Sequence, residues 1–287
     1  MTKYTITAVL TCHNRKEKTL NCVSKLLLSA ERIKDKLDFH IVVCDDNSYD
    51  GTKEALMSQY PSIIVVQGNG ELFWARGMAT AMKAAEKIKT DFFLMVNDDV
   101  DFDLDVLSVM LNDFERANDS LCAIVGSTHD SNGNHSYGGI HWNGKAIGEI
   151  SEHIVPNGEL QLCEQTNWNC FMIPVGLYNL IGKIDDFYEH SAADYDYSNR
   201  ITKAGYKIYV ASKYIGCCNR NSKQNTWMDT SLSFKQRWQL LHKKTGIPFR
   251  SNWHYCRKYY GVFAGYAFMK PYIGLLLSCW RKKHESI

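Results

Sequence analysis

Residues 91–101 read Asp91-Phe-Phe-Leu-Met-Val-Asn97-Asp98-Asp99-Val100-Asp101, an apolar run that ends in a cluster of carboxylates. An apolar run of this length is a buried strand, and acids at its C-terminal end fall in the crevice where α/β sheets bind ligands. Carboxylates there can hold a divalent cation. Oxygen donors select Mg²⁺ or Mn²⁺, an ion that keeps waters and takes phosphate oxygens as further ligands. That chemistry suits a nucleoside-diphosphate substrate. Taken alone, the segment reads equally well as a solvated, acidic strand-to-loop junction, so its neighbours must decide.

The elements that would position these acids follow from periodicity. Residues 4–12 are a first strand ending at His13-Asn14-Arg15, and a helix with Leu20, Val23, Leu26 and Leu27 at helical spacing follows. The second strand, Phe39 to Cys44, ends at Asp45-Asp46-Asn47-Ser48, and Ser48 to Thr52 turn into a second helix. The third strand, Ser62 to Gln67, runs into Gly68-Asn69-Gly70, with a helix expected from about Trp74 to Lys89 before the acid-tipped fourth strand. Strands alternating with helices describe a parallel, doubly wound sheet. Beyond Leu104 come a helix, the strand Leu121–Val125, irregular hairpin pieces over 129–165, and strand character from Asn167 to Pro174. Asp194-Tyr-Asp196 opens an acid-capped helix with Gly205 as its C-cap, and Tyr206 to Ala211 is a further strand.

With 287 residues, 45% hydrophobic and 22% charged, the chain is an ordinary globular protein able to bury a sizeable core. A formal charge of +2 gives no electrostatic reason to expect a nucleic-acid partner. Ten cysteines show no CxxC pair and no zinc-ligand spacing, which fits reduced thiols in a cytoplasmic protein. The start, Met-Thr-Lys-Tyr-Thr-Ile, lacks a signal-peptide core. Near the other end, Tyr259 to Trp280 is mostly apolar and aromatic, carries Lys270-Pro271 in its middle, and precedes Arg281-Lys282-Lys283-His284. A Lys-Pro break argues against a spanning helix. Two short segments lying on the inner face of a membrane are one expectation, and a helical pair covering the core or a homodimer contact is the other.

In their order, these motifs resemble glycosyltransferase family 2, the inverting nucleotide-sugar transferases of GT-A type. The resemblance rests on His13-Asn14-Arg15, the Asp45-to-Thr52 turn, Gly68-Asn69-Gly70 with Phe73-Trp74, the Asn97-Asp98-Asp99 cluster, and Asp194-Tyr195-Asp196 before Arg200. The stretch Thr226-Trp227-Met-Asp229-Thr-Ser231-Leu232, Arg237 and Lys244-Thr-Gly246-Ile-Pro248 looks like a branch met in bacterial surface-polysaccharide synthesis. The fold implied is α/β, a Rossmann-like, mainly parallel sheet flanked by helices, with a C-terminal helical appendage. The expected division is a catalytic domain over 1–215, with a nucleotide-binding half at 1–101 and an acceptor-binding half at 102–215, followed by a helical extension over 216–287.

The resemblance implies transfer of a sugar from a nucleotide-diphosphate donor, UDP or dTDP favoured, to a glycan or lipid-linked acceptor. Donor binding then falls to Thr11, His13, Asn14, Arg15, Asp45, Asp46, Gly70, Trp74, Asn97 and Asp98. Asp45 and Asp46 can accept from the imide N–H of uracil or thymine or from a ribose hydroxyl, and as Asp residues in a turn they can also simply cap it. Asp99 is the expected ligand of Mg²⁺ or Mn²⁺, because Asn97 stands where the family's Asp-x-Asp motif has its first acid. A sugar hydroxyl attacks only as its proton leaves, and Asp194 matches the base position, with Asp196 assigned to capping. Ala193 replaces the usual Glu there. Arg15, Arg76 and Arg200 are candidate partners of the leaving diphosphate. Many relatives carry a metal-binding His after the next strand, but Ile215-Gly-Cys217-Cys218-Asn-Arg220-Asn221 has none. Acceptor contacts fall to Trp168, Asn169 and His190, with Trp142 nearby. Two other readings are a nucleotidyltransferase, which would want a glycine-rich basic loop that Thr11 to Arg15 lacks, and a non-catalytic nucleotide- or glycan-binding module with a degenerate site.

Overall fold

The computed structural model describes residues 3–285, with side chains through Ser278. Met1-Thr2 and the side chains of Cys279, Trp280 and the basic Arg281-Lys282-Lys283-His284 flank lie outside the described residues. Strand and helix alternate from the start: β1 (Tyr4–Cys12), α1 (Lys16–Arg32), β2 (Leu37–Asp45), α2 (Thr52–Gln59), β3 (Ile64–Gln67), α3 (Phe73–Ala85) and β4 (Phe92–Val96). Then come β5 (Asp101–Phe102), α4 (Val106–Ala117), β6 (Ala123–His129), β7 (His135–Tyr137), β8 (Gly139–Trp142), β9 (Ser151–His153), β10 (Gln161–Leu162) and β11 (Gln165–Thr166). They lead to β12 (Cys170–Pro174), α5 (Val175–Ile181), α6 (Ala193–Lys203) and β13 (Ile208–Cys217). Last are α7 (Phe234–Leu241), α8 (Phe249–Tyr260), a 3₁₀ turn (Gly261–Phe263) and α9 (Ala264–Glu285).

The main sheet runs β10-β13-β6-β12-β4-β1-β2-β3. β1 pairs in parallel with β2 on one side and β4 on the other, with Cys12 opposite Asp45 and Val9 opposite Met95. The chain therefore leaves β1 in one direction and returns across it in the other. At such a switch point neighbouring connections diverge and open a crevice beyond the strand ends. His13, Asp46 and Asn97 follow directly on those ends. β12 enters antiparallel between β4 and β6, so residues on both sides of position 101 share one sheet. A second sheet, β11-β8-β9, stands beside it.

Strands covered on both faces need apolar side chains at successive positions, and β4 is buried throughout. Along β1, Ile6, Ala8 and Leu10 face a core shared with α1 and α4, while Val9 faces a second core shared with α3, α5 and α6. Helix α8 adds Tyr255 and Tyr259 to that second core, so part of the segment beyond residue 215 is built into the core of the main sheet and its helices. Helix α3 crosses β1 closely enough that a Cβ on Gly77 would sit 2.3 Å from Thr11 Oγ1.

Several strand ends shift by two to four residues from the sequence expectation, and three further differences have a physical reason or bear on the tail. Helix α3 ends at Ala85 instead of near Lys89. Strand β13 runs on to Cys217 because Gly216, at φ 152°, lets Asp101 and Phe102 pair against it where any Cβ would collide with Asp101 O. The third concerns the tail. Helix α9 passes through Lys270-Pro271 unbroken, and the chain turns instead at Gly261, whose φ of 52° favours glycine.

Candidate functional site

Two adjoining cavities occupy the crevice. One, of about 360 Å³, is lined by Thr11, His13, Arg15, Asp46, Gly70, Phe73, Trp74, Asp98, His190 and Thr245. The other, of about 280 Å³, is lined by Asn97, Asp98, Asp99, Tyr137, Asn167, Asn169, Asp194, Tyr195, Cys218 and Asn221 among others. Arg15, Trp74, Asp98 and His190 belong to both walls, so the two form one cleft with a waist.

At the waist the acids meet a guanidinium. Arg15 Nη1 lies 3.2 Å from Asp98 Oδ1 and 3.0 Å from Asp99 Oδ2. Asp98 is 5% exposed and also accepts from Thr19 Oγ1 at 3.2 Å. Burial pushes its carboxyl up to about 6; Arg15 opposes that rise and the neighbouring Asp99 adds to it. Asn97 is held by Trp74 Nε1, which donates to its Oδ1 at 2.8 Å, and its Nδ2 donates to Asn169 Oδ1 at 3.3 Å. Where relatives would bring a His, Cys218 stands with its Sγ 3.9 Å from Asp99 Oδ1. Burial pushes that thiol up to about 12, so it remains a neutral, soft group that suits Mg²⁺ or Mn²⁺ poorly.

Asp194 lies across the second cavity, in the first turn of α6. Its Oδ1 accepts the N–H of Tyr195 at 2.9 Å, and no cation lies against it among the described residues. Burial raises its carboxyl from 3.8 to about 6, although the Tyr195 N–H and the Asn167 amide pull the other way. The helix is launched from Ala192 at φ 70°, and Phe73 at the start of α3 has φ 56°. Both residues line the cleft, and a non-glycine in this region costs about 1–3 kcal/mol, a strain that collects at functional sites.

The structure revises several sequence assignments. Asp45 lines neither cavity: it is fully buried, and its carboxylate accepts from the hydroxyl and N–H of Ser48. Asn14 also lies outside them, accepting from Tyr49 N at 2.9 Å and bonded to His13 Nε2. Asp46 does line the first cavity, but its oxygens organise the Gly70 to Phe73 loop by accepting from Gly70 N, Leu72 N and Phe73 N. Trp168 belongs to the lining of the second cavity but is only 1% exposed, with Phe171 stacked on one face and Trp74 and Tyr197 packed edge-on against it. Trp142 is likewise packed, against Tyr259 and Tyr260. Asn169 lines the second cavity, although it is 2% exposed and its Oδ1 is taken by Asn97, and His190 lines both cavities and has a buried Nδ1 without a hydrogen-bond partner.

Asp196 is not a cap. It is 0% exposed and points inward, accepting from Arg200 Nε at 3.0 Å, Tyr188 OH at 3.2 Å and Tyr259 OH at 2.8 Å, with Lys258 Nζ 2.6 Å away. Arg200 is used up in that cluster and on the carbonyls of Ile181 and Lys183, and Arg76 pairs with Glu189. Of the three arginines, Arg15 alone lines the cleft. The sequence reading missed Tyr137, Asn167, Tyr195, Asn221 and Thr245. Thr245 had a signal, because it sits inside the Lys244-to-Pro248 pattern.

As for a metal, the described residues gather no group of three or more His, Cys, Asp or Glu that could hold one. The donor set still fits a hard cation that takes one or two carboxylates and completes its shell with water and phosphate. Asp99 is the residue that would hold it, with Arg15 as its competitor.

A crevice of this kind, at the strand-order reversal of a mainly parallel sheet, marks the nucleotide-binding α/β proteins. Within that class the chain belongs to glycosyl transferase family 2, whose family model matches residues 7–172. A mannosyltransferase from Pyrobaculum calidifontis, solved with GDP-Man and Mn²⁺, aligns with a TM-score of 0.57 at 15% identity, over 97% of this chain and 74% of that one. GalNAc-T7 with UDP, GalNAc and Mn²⁺ gives 0.55 at 13% identity, over 77% and 46% of the two chains. Residues 1–349 of S. aureus TarS give 0.51 at 15%, over 75% and 59%. At these identities the likeness is one of fold, and this chain spans about half the length of the last two. No curated protein matches the sequence.

Proposed function

We propose that this chain transfers a sugar from a nucleoside-diphosphate sugar to a hydroxyl of a saccharide or lipid-linked saccharide, inverting the anomeric carbon, with Asp194 as the base. The observation that carries the reading is the Asp194 carboxyl, which lines the same cavity as Arg15, Asp98 and Asp99, faces no cation among the described residues, and is pushed up to about 6 by burial. A base with that pKa is ionised at neutral pH and close enough to it to take a proton in the transition state. The acceptor oxygen bonds to the anomeric carbon as its proton passes to Asp194. On the opposite side the bond to the diphosphate oxygen breaks and the nucleoside diphosphate leaves with the electron pair. Arg15 is then the residue that balances the charge gathering on the leaving group. Mg²⁺ or Mn²⁺, when bound at Asp99, would add to that neutralisation.

UDP or dTDP is the favoured donor nucleotide. Support comes from Asp46 Oδ1, which accepts one N–H, from Gly70, and retains acceptor capacity on the wall of the first cavity for the imide N–H of uracil or thymine. Asp194→Asn tests the assignment. Transfer should drop by about 10²–10⁴-fold while nucleotide-sugar still raises the unfolding temperature. Transfer at the wild-type rate would remove Asp194 from the mechanism.

A further inference from the structure

From Thr230 to His284 the chain holds eleven Lys and Arg and no Asp or Glu, although the formal charge of the whole protein is only +2. These 55 residues build α7, α8 and α9; Lys244, Lys258 and Lys270 pair with carboxylates elsewhere in the chain, and Lys235, Lys243, Arg250 and Arg257 are exposed. Along α9 and the turn before it, Val262, Tyr266, Met269, Ile273 and Leu276 recur every three to four residues, between 43% and 94% exposed. The other face of the helix, with Ala264, Phe268, Tyr272 and Leu275, packs inward. From α8, Phe249 and Trp253 are exposed and meet Phe268 edge-on at 4.8 and 5.3 Å, so the outer faces of the two helices adjoin. Beside them opens a groove of about 510 Å³ that contains Arg250 and Arg257. Lys258 and His254 in the same groove are paired with Asp185, but neither arginine faces a carboxylate among the described residues.

We propose that this surface docks on an anionic lipid bilayer, with α8 and α9 lying in the interface, the α9 stripe among the acyl chains, and Arg250 and Arg257 on lipid phosphates. An aromatic and aliphatic face edged by cations is the composition that partitions there. Charge decides against a second copy as the occupant. A two-fold contact through this face would set its unpaired arginines against their own equivalents. No described helix is long and apolar enough to cross a membrane, and Lys270 of α9 turns away from the stripe to pair with Glu149 at 2.8 Å. Lys258 and Tyr259 fasten α8 to Asp196 of α6, the helix that carries Asp194, so docking sets the cleft at a fixed attitude to the bilayer.

The test uses full-length protein, because truncation before Tyr259 would remove a core residue, and it needs neither donor nor acceptor, so its outcome is separate from the transferase reading. Co-sedimentation is measured with phosphatidylcholine vesicles and with vesicles containing about one quarter phosphatidylglycerol, at low and high salt. Wild type should bind the anionic vesicles, release in high salt and bind the neutral ones far more weakly. Arg250→Gln with Arg257→Gln should weaken anionic binding about thirtyfold, and Met269→Ser with Ile273→Ser about tenfold or more, each with an unfolding temperature equal to wild type. Absence of binding to anionic vesicles overturns the proposal. So does a folded Arg250→Gln/Arg257→Gln protein that binds as wild type does, or a lipid-independent dimer that Ile273→Ser dissolves.

Discussion

Replacing Asp194 by Asn should make this protein more stable at neutral pH while removing the transferase activity proposed for it. Burial pushes the carboxyl from 3.8 up to about 6 in the folded chain. Between those values the unfolded chain has released the proton and the folded chain still holds it. Stability therefore falls as pH rises from about 4 to about 6 and stays reduced above that. Two pH units correspond to about 3 kcal/mol at most. For a chain of this length that is an unfolding-temperature difference of about 5 °C. Asn keeps the shape and the acceptor for the Tyr195 N–H without the buried charge, so the variant escapes the cost. Asp98 is raised in the same way but is common to both proteins and cancels in the comparison. Thermal unfolding of the two proteins from pH 4 to pH 8 should give nearly coincident curves at the acid end and a gap of several degrees by pH 7. A gap that is absent at pH 7.5, or equally large at pH 4, would refute the claim that the Asp194 charge is held against burial.

Other consequences follow from particular contacts. Asp196→Ala leaves Arg200, Lys258 and two tyrosine hydroxyls without their shared acceptor, and should cost about 3–5 kcal/mol in urea unfolding; unchanged stability would mean the cluster does not bind α8 to α6. Gly77→Ala forces a Cβ to within 2.3 Å of Thr11 Oγ1 and should destabilise by about 1–3 kcal/mol, with Thr11→Ala recovering part of it; simple additivity of the two changes would argue against that contact. Arg15→Gln removes the cation 3.0 Å from Asp99, so Mn²⁺ followed by electron paramagnetic resonance without donor should bind about five- to tenfold tighter. An unchanged affinity would take Asp99 out of the metal site.

The half of the cleft built from strand ends was legible because its signal is local. β1, β2 and β4 are buried on both faces, so each reads as an apolar run stopped by polar residues, and those residues rim the crevice. Helices hide more. Asp194 and Asp196 are two positions apart, about 200° around a helix, so one faces the cleft when the other faces the core. A pattern of acids cannot say which is which, and here Asp196 proved to be the buried anchor. Aromatic residues carry the same ambiguity: Trp168 next to the polar Asn167 and Asn169 reads as a sugar platform, yet it reaches the wall of the second cavity with only 1% of its surface exposed and one face stacked on Phe171. Pro271 looked like a break because a proline usually is one, but α9 accommodates it and turns at Gly261 instead. Thr245 reaches the first cavity from far along the chain; the Lys244-to-Pro248 pattern marked its segment, but only the tertiary fold shows where it lands.

Nucleoside-diphosphate release tests the account most directly. Full-length wild type and Asp194→Asn are each incubated with Mn²⁺ and a panel of UDP-, dTDP- and GDP-sugars, together with a mixture of saccharide acceptors, and the freed nucleotide is measured. The account predicts release by wild type from a UDP- or dTDP-sugar, and a rate lower by about 10²–10⁴-fold in the variant. Release from no donor by the wild type, or equal release by both proteins, would contradict it.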